Sequence, residues 1–273
     1  MRSTLLAVFL LGFAGPSAAQ PSPHLSVPPA EYAEFEAPLT GQLREFASGR
    51  KRPCAATIAL AAVAVPADFT PDRPWPVLFV SATSDPGYNS SRQLLRRFMV
   101  PALHAGWIVL AADPNTDRDE DTDRLRYALL VAAIGRLQLE WPHFPEWPRA
   151  FGGFSGGAKR SAWLAALATA LHHRPIGVFQ GGCNEPAMSR ALDAIRADRA
   201  EFLAVPVFLS GGTEDPIAPR DMVADVASNL RRAGFTHVRY EHYRGGHELY
   251  AAHVEEALRW FARAATSPPS GPP

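Results

Sequence analysis

Two periodicities alternate along this chain. Short unbroken apolar runs, typical of strands covered on both faces, are separated by longer stretches in which apolar positions recur every three to four residues, typical of helices with one buried stripe. The runs fall at residues 57–65, which end at Pro66, at 76–80 and 107–112, in a short run that leads into Gly153, and at 176–180 and 205–209. The first is rich in alanine, which leaves a helix open there too, and Pro206 sits at the start of the last, where a missing backbone donor is tolerated. Residues 238–243 alternate instead, and read as a further strand. Helices are predicted over 93–103, over 121–141 with Leu125, Leu129, Ala132 and Ala133 on one face, briefly over 188–195, and over 249–265. Another carries Met222, Val223, Val226, Ala227 and Leu230 and is closed by Gly234. Strands alternating with helices define an α/β protein, and strands buried on both sides place helices on both faces of a mostly parallel sheet.

The ends of the chain break this rhythm. Arg2 precedes an apolar stretch over residues 5–14, and Ser17-Ala18-Ala19 precedes Gln20, so residues 1–19 read as a signal peptide cleaved on export. The stretch is shorter than the ~20 residues a bilayer-spanning helix needs, and no other is long and apolar enough. Residues 20–54 begin with Pro21, Pro23, Pro28 and Pro29 and read as an irregular lead-in. Residues 55–265 form the domain, and 266–273, rich in proline, a disordered tail. At 273 residues, 47% hydrophobic and 20% charged, the chain has enough material for a full core in one domain. Basic and acidic side chains balance at 27 each, so nothing points to a polyanion such as nucleic acid as partner. The two cysteines, Cys54 and Cys183, would share an oxidising compartment and are candidates for a bridge; closing so long a loop is worth roughly 5 kcal/mol before strain.

Two clusters invite a binding reading. Asp113, Asp117, Asp119, Glu120, Asp121 and Asp123 crowd a predicted helix start. A calcium loop set from Asp113 would, however, put Arg118 where glycine is required and Arg124 where the closing glutamate belongs. The acids are expected to favour the helix dipole instead. The aromatic segment 141–148 precedes a strand and is expected to pack at the sheet end opposite the chemistry.

The chemistry centres on Gly153-Phe154-Ser155-Gly156-Gly157, a Gly-x-Ser-x-Gly pattern. A strand leads into it, and Leu164, Leu167, Ala168 and Leu171 make a helical stripe after it, ended by His172, His173, Arg174 and Pro175. Such a turn strains the serine backbone and lifts its hydroxyl off the sheet. A serine hydroxyl needs an adjacent base, and that base needs a carboxylate to fix its tautomer. Strand 205–209 runs into Gly211-Gly212-Thr213-Glu214-Asp215-Pro216, and strand 238–243 into Gly245-Gly246-His247-Glu248. The C-terminal ends of parallel strands share one edge, so Ser155, Asp215 and His247 converge there.

In these three loops and their order, the chain resembles the α/β-hydrolase superfamily over residues 55–262, nearest to compact secreted esterases and dienelactone-hydrolase-like members. The resemblance implies a doubly wound α/β-hydrolase fold with Ser155 as nucleophile, His247 as base and then acid, and Asp215 as the orienting carboxylate. It also implies an oxyanion donor at Gly156 and a second at Ala82 or Thr83. The sequence departs from the family in lacking the His-Gly often found in that second loop. Asp215 is preferred to Glu214 because the Asp-Pro pair matches the family, and His247 to His242 because His242 lies within the strand. His242, His247 and Glu248 lack the spacing of zinc ligands; no metal or other cofactor is expected. The family's strand order would set Cys54 and Cys183 about four strands apart, roughly 19 Å, so only loops folding over the sheet could join them.

Only residues 183–204 stand where family members often insert a lid, so the lid is minimal and the site is expected to be open to water-soluble esters or polymer ends. The leading expectation is a secreted carboxylic-ester hydrolase. A serine peptidase similar to the prolyl-oligopeptidase catalytic domain, without its propeller, and a non-catalytic binding protein on the same fold stand as alternatives.

Overall fold

The computed structural model describes residues 25–48 and 52–266; the expected signal peptide and residues 267–273 of the expected tail lie outside them. Eight strands form one sheet: β1 (Tyr32–Pro38), β2 (Ile58–Ala64), β3 (Val77–Ser81), β4 (Ile108–Pro114), β5 (Arg149–Phe154), β6 (Gly177–Gly181), β7 (Val207–Gly212) and β8 (Val238–Tyr243). Their order is β1-β2-β4-β3-β5-β6-β7-β8. β2 runs antiparallel to both β1 and β4, and all other pairs are parallel.

The pleat sorts side chains between two cores. Val77 and Phe79 of β3 face one layer with Ile108 and Leu110 of β4, while Leu78 and Val80 face the other with Val109 and Ala111. The first layer is covered by α1 (Gly41–Ala47), α3 (Asp123–Gln138), α4 (Gly156–Ala170), α5 (Ala187–Ala194) and α7 (Arg220–Ala233), through Leu125, Leu129, Leu164, Met188 and Val223 among others. The second is covered by α2 (Ser91–His104) and α8 (Ala251–Thr266), through Leu95, Phe98, Val254, Leu258 and Phe261. Each such side chain, fully buried, contributes about 1.5–3 kcal/mol, so the two layers supply most of the drive to fold.

The structure differs from the sequence reading in four places. The lead-in is not irregular throughout, because residues 32–38 form an edge strand and 41–47 a helix. Ala33, Phe35 and Ala37 alternate with Glu34 and Glu36, a period of two partly hidden by nearby prolines. The cysteines are free: the Cys54 thiol lies 3.6 Å from Asp119 Oδ2 ahead of β2, and the Cys183 thiol donates to Glu185 O after β6. Both are buried in their own neighbourhoods. The acidic cluster does more than favour a dipole. Arg126, 3% exposed, donates to Asp113 Oδ1 at 2.7 Å and Asp121 Oδ1 at 2.6 Å, and Arg160 to Asp121 Oδ2 at 3.1 Å. Burial opposes ionisation of Asp121, but Arg126 and Arg160 outweigh it and hold its pKa below the ordinary value. Finally, α6 (Arg199–Leu203) adds a short helix before β7.

The aromatic segment does pack. Trp141, Phe144 and Trp147 are buried, with the two indoles stacked 6.1 Å apart and Phe69 4.8 Å from Trp141.

Candidate active site

Ser155 joins β5 to α4 with φ 55° and ψ −120°, one of three non-glycine residues with positive φ among the described residues. Holding a side chain there costs of order 1–3 kcal/mol, which the crossing of strand and helix must supply. The crossing is tight. A Cβ on Gly153 would lie 2.2 Å from the Gly157 carbonyl, and one on Gly157 2.1 Å from Ser81 O, so only glycine lets β5, α4 and the end of β3 meet. The serine N–H donates to Gly181 O at 2.8 Å, locking the turn to β6. Ser155 occupies the N-cap of α4 without a side-chain capping bond, so its hydroxyl is not consumed by the helix.

Asp215 lies just beyond β7 and is 5% exposed. Its Oδ1 accepts the N–H groups of Ile217 and Ala218, each at 2.8 Å, and its Oδ2 is 2.7 Å from His247 Nδ1. Burial works against its charge, but the Ala218 N–H, the imidazole and the Ile217 N–H together outweigh burial and hold its pKa below the ordinary carboxylate value. An ionised Asp215 is an acceptor only, so Nδ1 carries a proton and the other ring nitrogen of a neutral His247 is left as an acceptor. The two loops are joined by backbone as well, Thr213 N to Tyr243 O and Glu214 N to Gly245 O, each at 2.9 Å.

The imidazole is seated beside the elbow. Its ring lies 4.7 Å from that of Phe154, the residue before the serine. Gly182, at φ +58°, passes under it so closely that a Cβ would come within 3.0 Å of His247 Cε1. Among the described residues no hydrogen bond links Ser155 Oγ to His247; that contact is open while the imidazole–carboxylate contact is made. Such looseness is common before substrate engages. The rivals stand elsewhere: Glu214 pairs with Arg244 in solvent, and His242 is exposed on β8.

The two residues expected as a second oxyanion donor differ in what their N–H groups meet. The Ala82 N–H donates to Ser91 Oγ at 3.1 Å and is therefore engaged, which removes it from the expected pair. Thr83 packs directly on Gly156, where an added Cβ would meet Thr83 Oγ1 at 2.3 Å. Among the described residues the Thr83 N–H donates to no group. Gly156 stands at the first position of α4, whose positive end favours a developing anion. Arg160, on the same helix, donates to Ala82 O at 3.1 Å and ties this loop to the ion-pair network. Sequence reasoning missed Arg160 and Ser91; the available signal was an arginine amid the buried Ala158, Ser161, Ala162 and Leu164.

The connection from β6 to β7 is short, with α5 and α6 as its helices; Asn184 Nδ2 in it donates to Ile217 O at 3.0 Å, and Lys159 of α4 pairs with its Glu185 at 2.6 Å. Tyr88, Ile217 and Tyr250, on loops after β3, β7 and β8, are among the exposed large apolar side chains.

This strand order, with a strained serine at the β5–α4 turn and an acid and an imidazole beyond β7 and β8, defines an α/β-hydrolase fold. Solved structures share it. A lidless α/β serine hydrolase from Xanthomonas campestris superposes with TM-score 0.54 at 16% identity, covering 91% of this chain and all of its own. A ferulic acid esterase does so with TM-score 0.56 at 13% identity, covering 85% of this chain and 98% of its own. The esterase Est2 of Thermogutta terrifontis, with butyrate bound, gives 0.52 at 15% identity, covering 78% and 92%. No protein-family profile matches the sequence, nor does any curated protein.

Proposed function

We propose that this chain is a serine hydrolase that cleaves carboxylic esters through an acyl-enzyme intermediate, exported by the leader at residues 1–19. The observation that carries the reading is the conjunction of a strained serine with an unspent hydroxyl and a neighbouring imidazole aligned by a buried carboxylate. In this mechanism Ser155 Oγ attacks the ester carbonyl carbon and its proton passes to His247 Nε2. The carbonyl electron pair moves onto oxygen, and the Gly156 and Thr83 N–H groups receive the resulting anion; one such donor is typically worth about 10²–10³ in rate. Collapse expels the alkoxide, which takes the proton from His247 and leaves the acyl group on Ser155. Water then repeats the sequence and frees the acid. Asp215 stays ionised throughout and stabilises the imidazolium.

The structural neighbours with esterase names support ester over peptide bonds, and the short cover after β6 supports small, water-soluble esters or exposed polymer ends. The decisive experiment is labelling with a fluorophosphonate probe, which should modify the wild type and not Ser155→Ala. A panel of p-nitrophenyl esters and matched anilides then separates esterase from peptidase, and a steep preference for long acyl chains would refute the open site. Mass measurement of the protein recovered outside the cytoplasm tests cleavage after Ala19.

A further inference from the structure

We infer that Tyr243 is a positioning residue for the catalytic base. The inference rests on the reading of His247 as that base. Tyr243 is the last residue of β8 and is 7% exposed. Its hydroxyl lies 3.0 Å from Gly246 O and closer still to Glu248 O, the two carbonyls that flank His247. The loop is wound around the phenol: a Cβ on Gly245 would lie 2.9 Å from Tyr243 Cε2, and the Glu248 N–H turns back to Gly246 O at 3.0 Å. The ring itself is fixed, stacked on Tyr250 at 4.6 Å and 11° and set edge-on to His253 at 5.7 Å.

The physical need for such a clamp follows from composition. Gly245 and Gly246 give the segment before the histidine little intrinsic stiffness. Its inner anchors are the Glu214 N–H on Gly245 O and the imidazole–Asp215 bond, both on the side of the acid loop. The phenol supplies the opposite anchor, one donor shared between carbonyls on either side of the base. Burial first, then the carboxylates of Glu248 and Asp215, raise its pKa above the ordinary tyrosine value, so it stays protonated and able to donate wherever the hydrolase works. Without the oxygen, Glu248 O loses the phenol and Gly246 O keeps only the Glu248 N–H, so the histidine segment is held from the acid-loop side, by the Glu214 N–H on Gly245 O and by Asp215 on the imidazole. The open Ser155–His247 contact then has to be closed by a looser loop, and a displacement of about 1 Å at a reacting group can cost on the order of 100-fold.

Tyr243→Phe removes only the oxygen and keeps the ring stack, so it separates positioning from packing. With p-nitrophenyl acetate as probe, kcat should fall about 10–100-fold while KM stays within about twofold. The fluorophosphonate labelling rate should fall in parallel, with the melting temperature little changed. The far-downfield proton signal of the His247–Asp215 bond, assigned by its loss in Asp215→Asn, should shift or broaden. If the wild type labels and Ser155→Ala does not, but Tyr243→Phe keeps wild-type kcat, labelling rate and proton signal, the inference is overturned and the proposed function stands. A variant that melts earlier while its folded fraction retains wild-type kcat also overturns it, since the phenol would then only support the fold. Failure of the wild type itself to label overturns the proposed function instead.

Discussion

Replacing Asp215 by asparagine tests the site most sharply, because the structure separates what the carboxylate does for the fold from what it does for the imidazole. Its Oδ1 accepts the N–H groups of Ile217 and Ala218, and an asparagine carbonyl can accept both in the same place. That leaves the asparagine NH2 facing His247 Nδ1, now 2.7 Å from an acceptor-only carboxylate oxygen. A donor there turns Nδ1 into an acceptor and moves the ring proton to the other nitrogen, the one that must take the proton from Ser155. The base is then blocked by tautomer rather than by geometry. The corresponding change in a serine-protease triad lowers kcat about 10⁴-fold, equivalent to about 5 kcal/mol of transition-state stabilisation. Stability should change by only about 1 kcal/mol, the scale of one hydrogen bond exchanged for another. Asp215→Ala removes the loop bonds as well and should cost about 1–3 kcal/mol in folding on top of the activity. The assay is kcat/KM on p-nitrophenyl acetate together with urea unfolding of both variants. Retention of more than about a tenth of wild-type activity by Asp215→Asn, or an equal loss in Glu214→Gln, would refute the reasoning.

Gly153→Ala should leave little correctly folded or active protein, since its Cβ would sit 2.2 Å from the Gly157 backbone; expression yield and fluorophosphonate labelling check this. Arg126→Leu removes the cation that Asp113 and Asp121 share and leaves them to Arg92 and Arg160 respectively, so it should destabilise the fold by about 1–3 kcal/mol, read as a lower urea midpoint. Asp121 has a depressed folded pKa, so its contribution is present above the unfolded value of about 3.9 and is lost as pH falls through the folded one; Asp121→Asn should flatten the acid limb of stability against pH. Because Cys54 and Cys183 are free and buried, reductant should leave the melting temperature unchanged, and a thiol reagent should count two groups only after unfolding.

The serine, acid and histidine loops were readable because each carries its own local signature: a glycine-framed serine, an Asp-Pro turn and a histidine after two glycines, each following a strand. What decided between Ala82 and Thr83 was not local. It depended on Ser91, nine residues on, claiming one N–H, and on Thr83 packing against a glycine far along the chain. The ion-pair node was hidden for the same reason, as Arg126 and Arg160 look like ordinary helix arginines until α3 and α4 are packed together. β1 was legible in principle, from Phe35 between two glutamates, but proline-rich surroundings weighed against a strand. The cysteines mislead when read by compartment alone, because a bridge is decided by where the topology sends each thiol.

β8 sits at the outer margin of the sheet, with β7 as its strand partner among the described residues, and the loop after it carries the imidazole of His247. Ser155, by contrast, follows β5, which lies inside the sheet between β3 and β6. Margins fray first on warming. Turnover should therefore vanish while the helices still give their full dichroism, making the enzyme's working ceiling lower than its melting point.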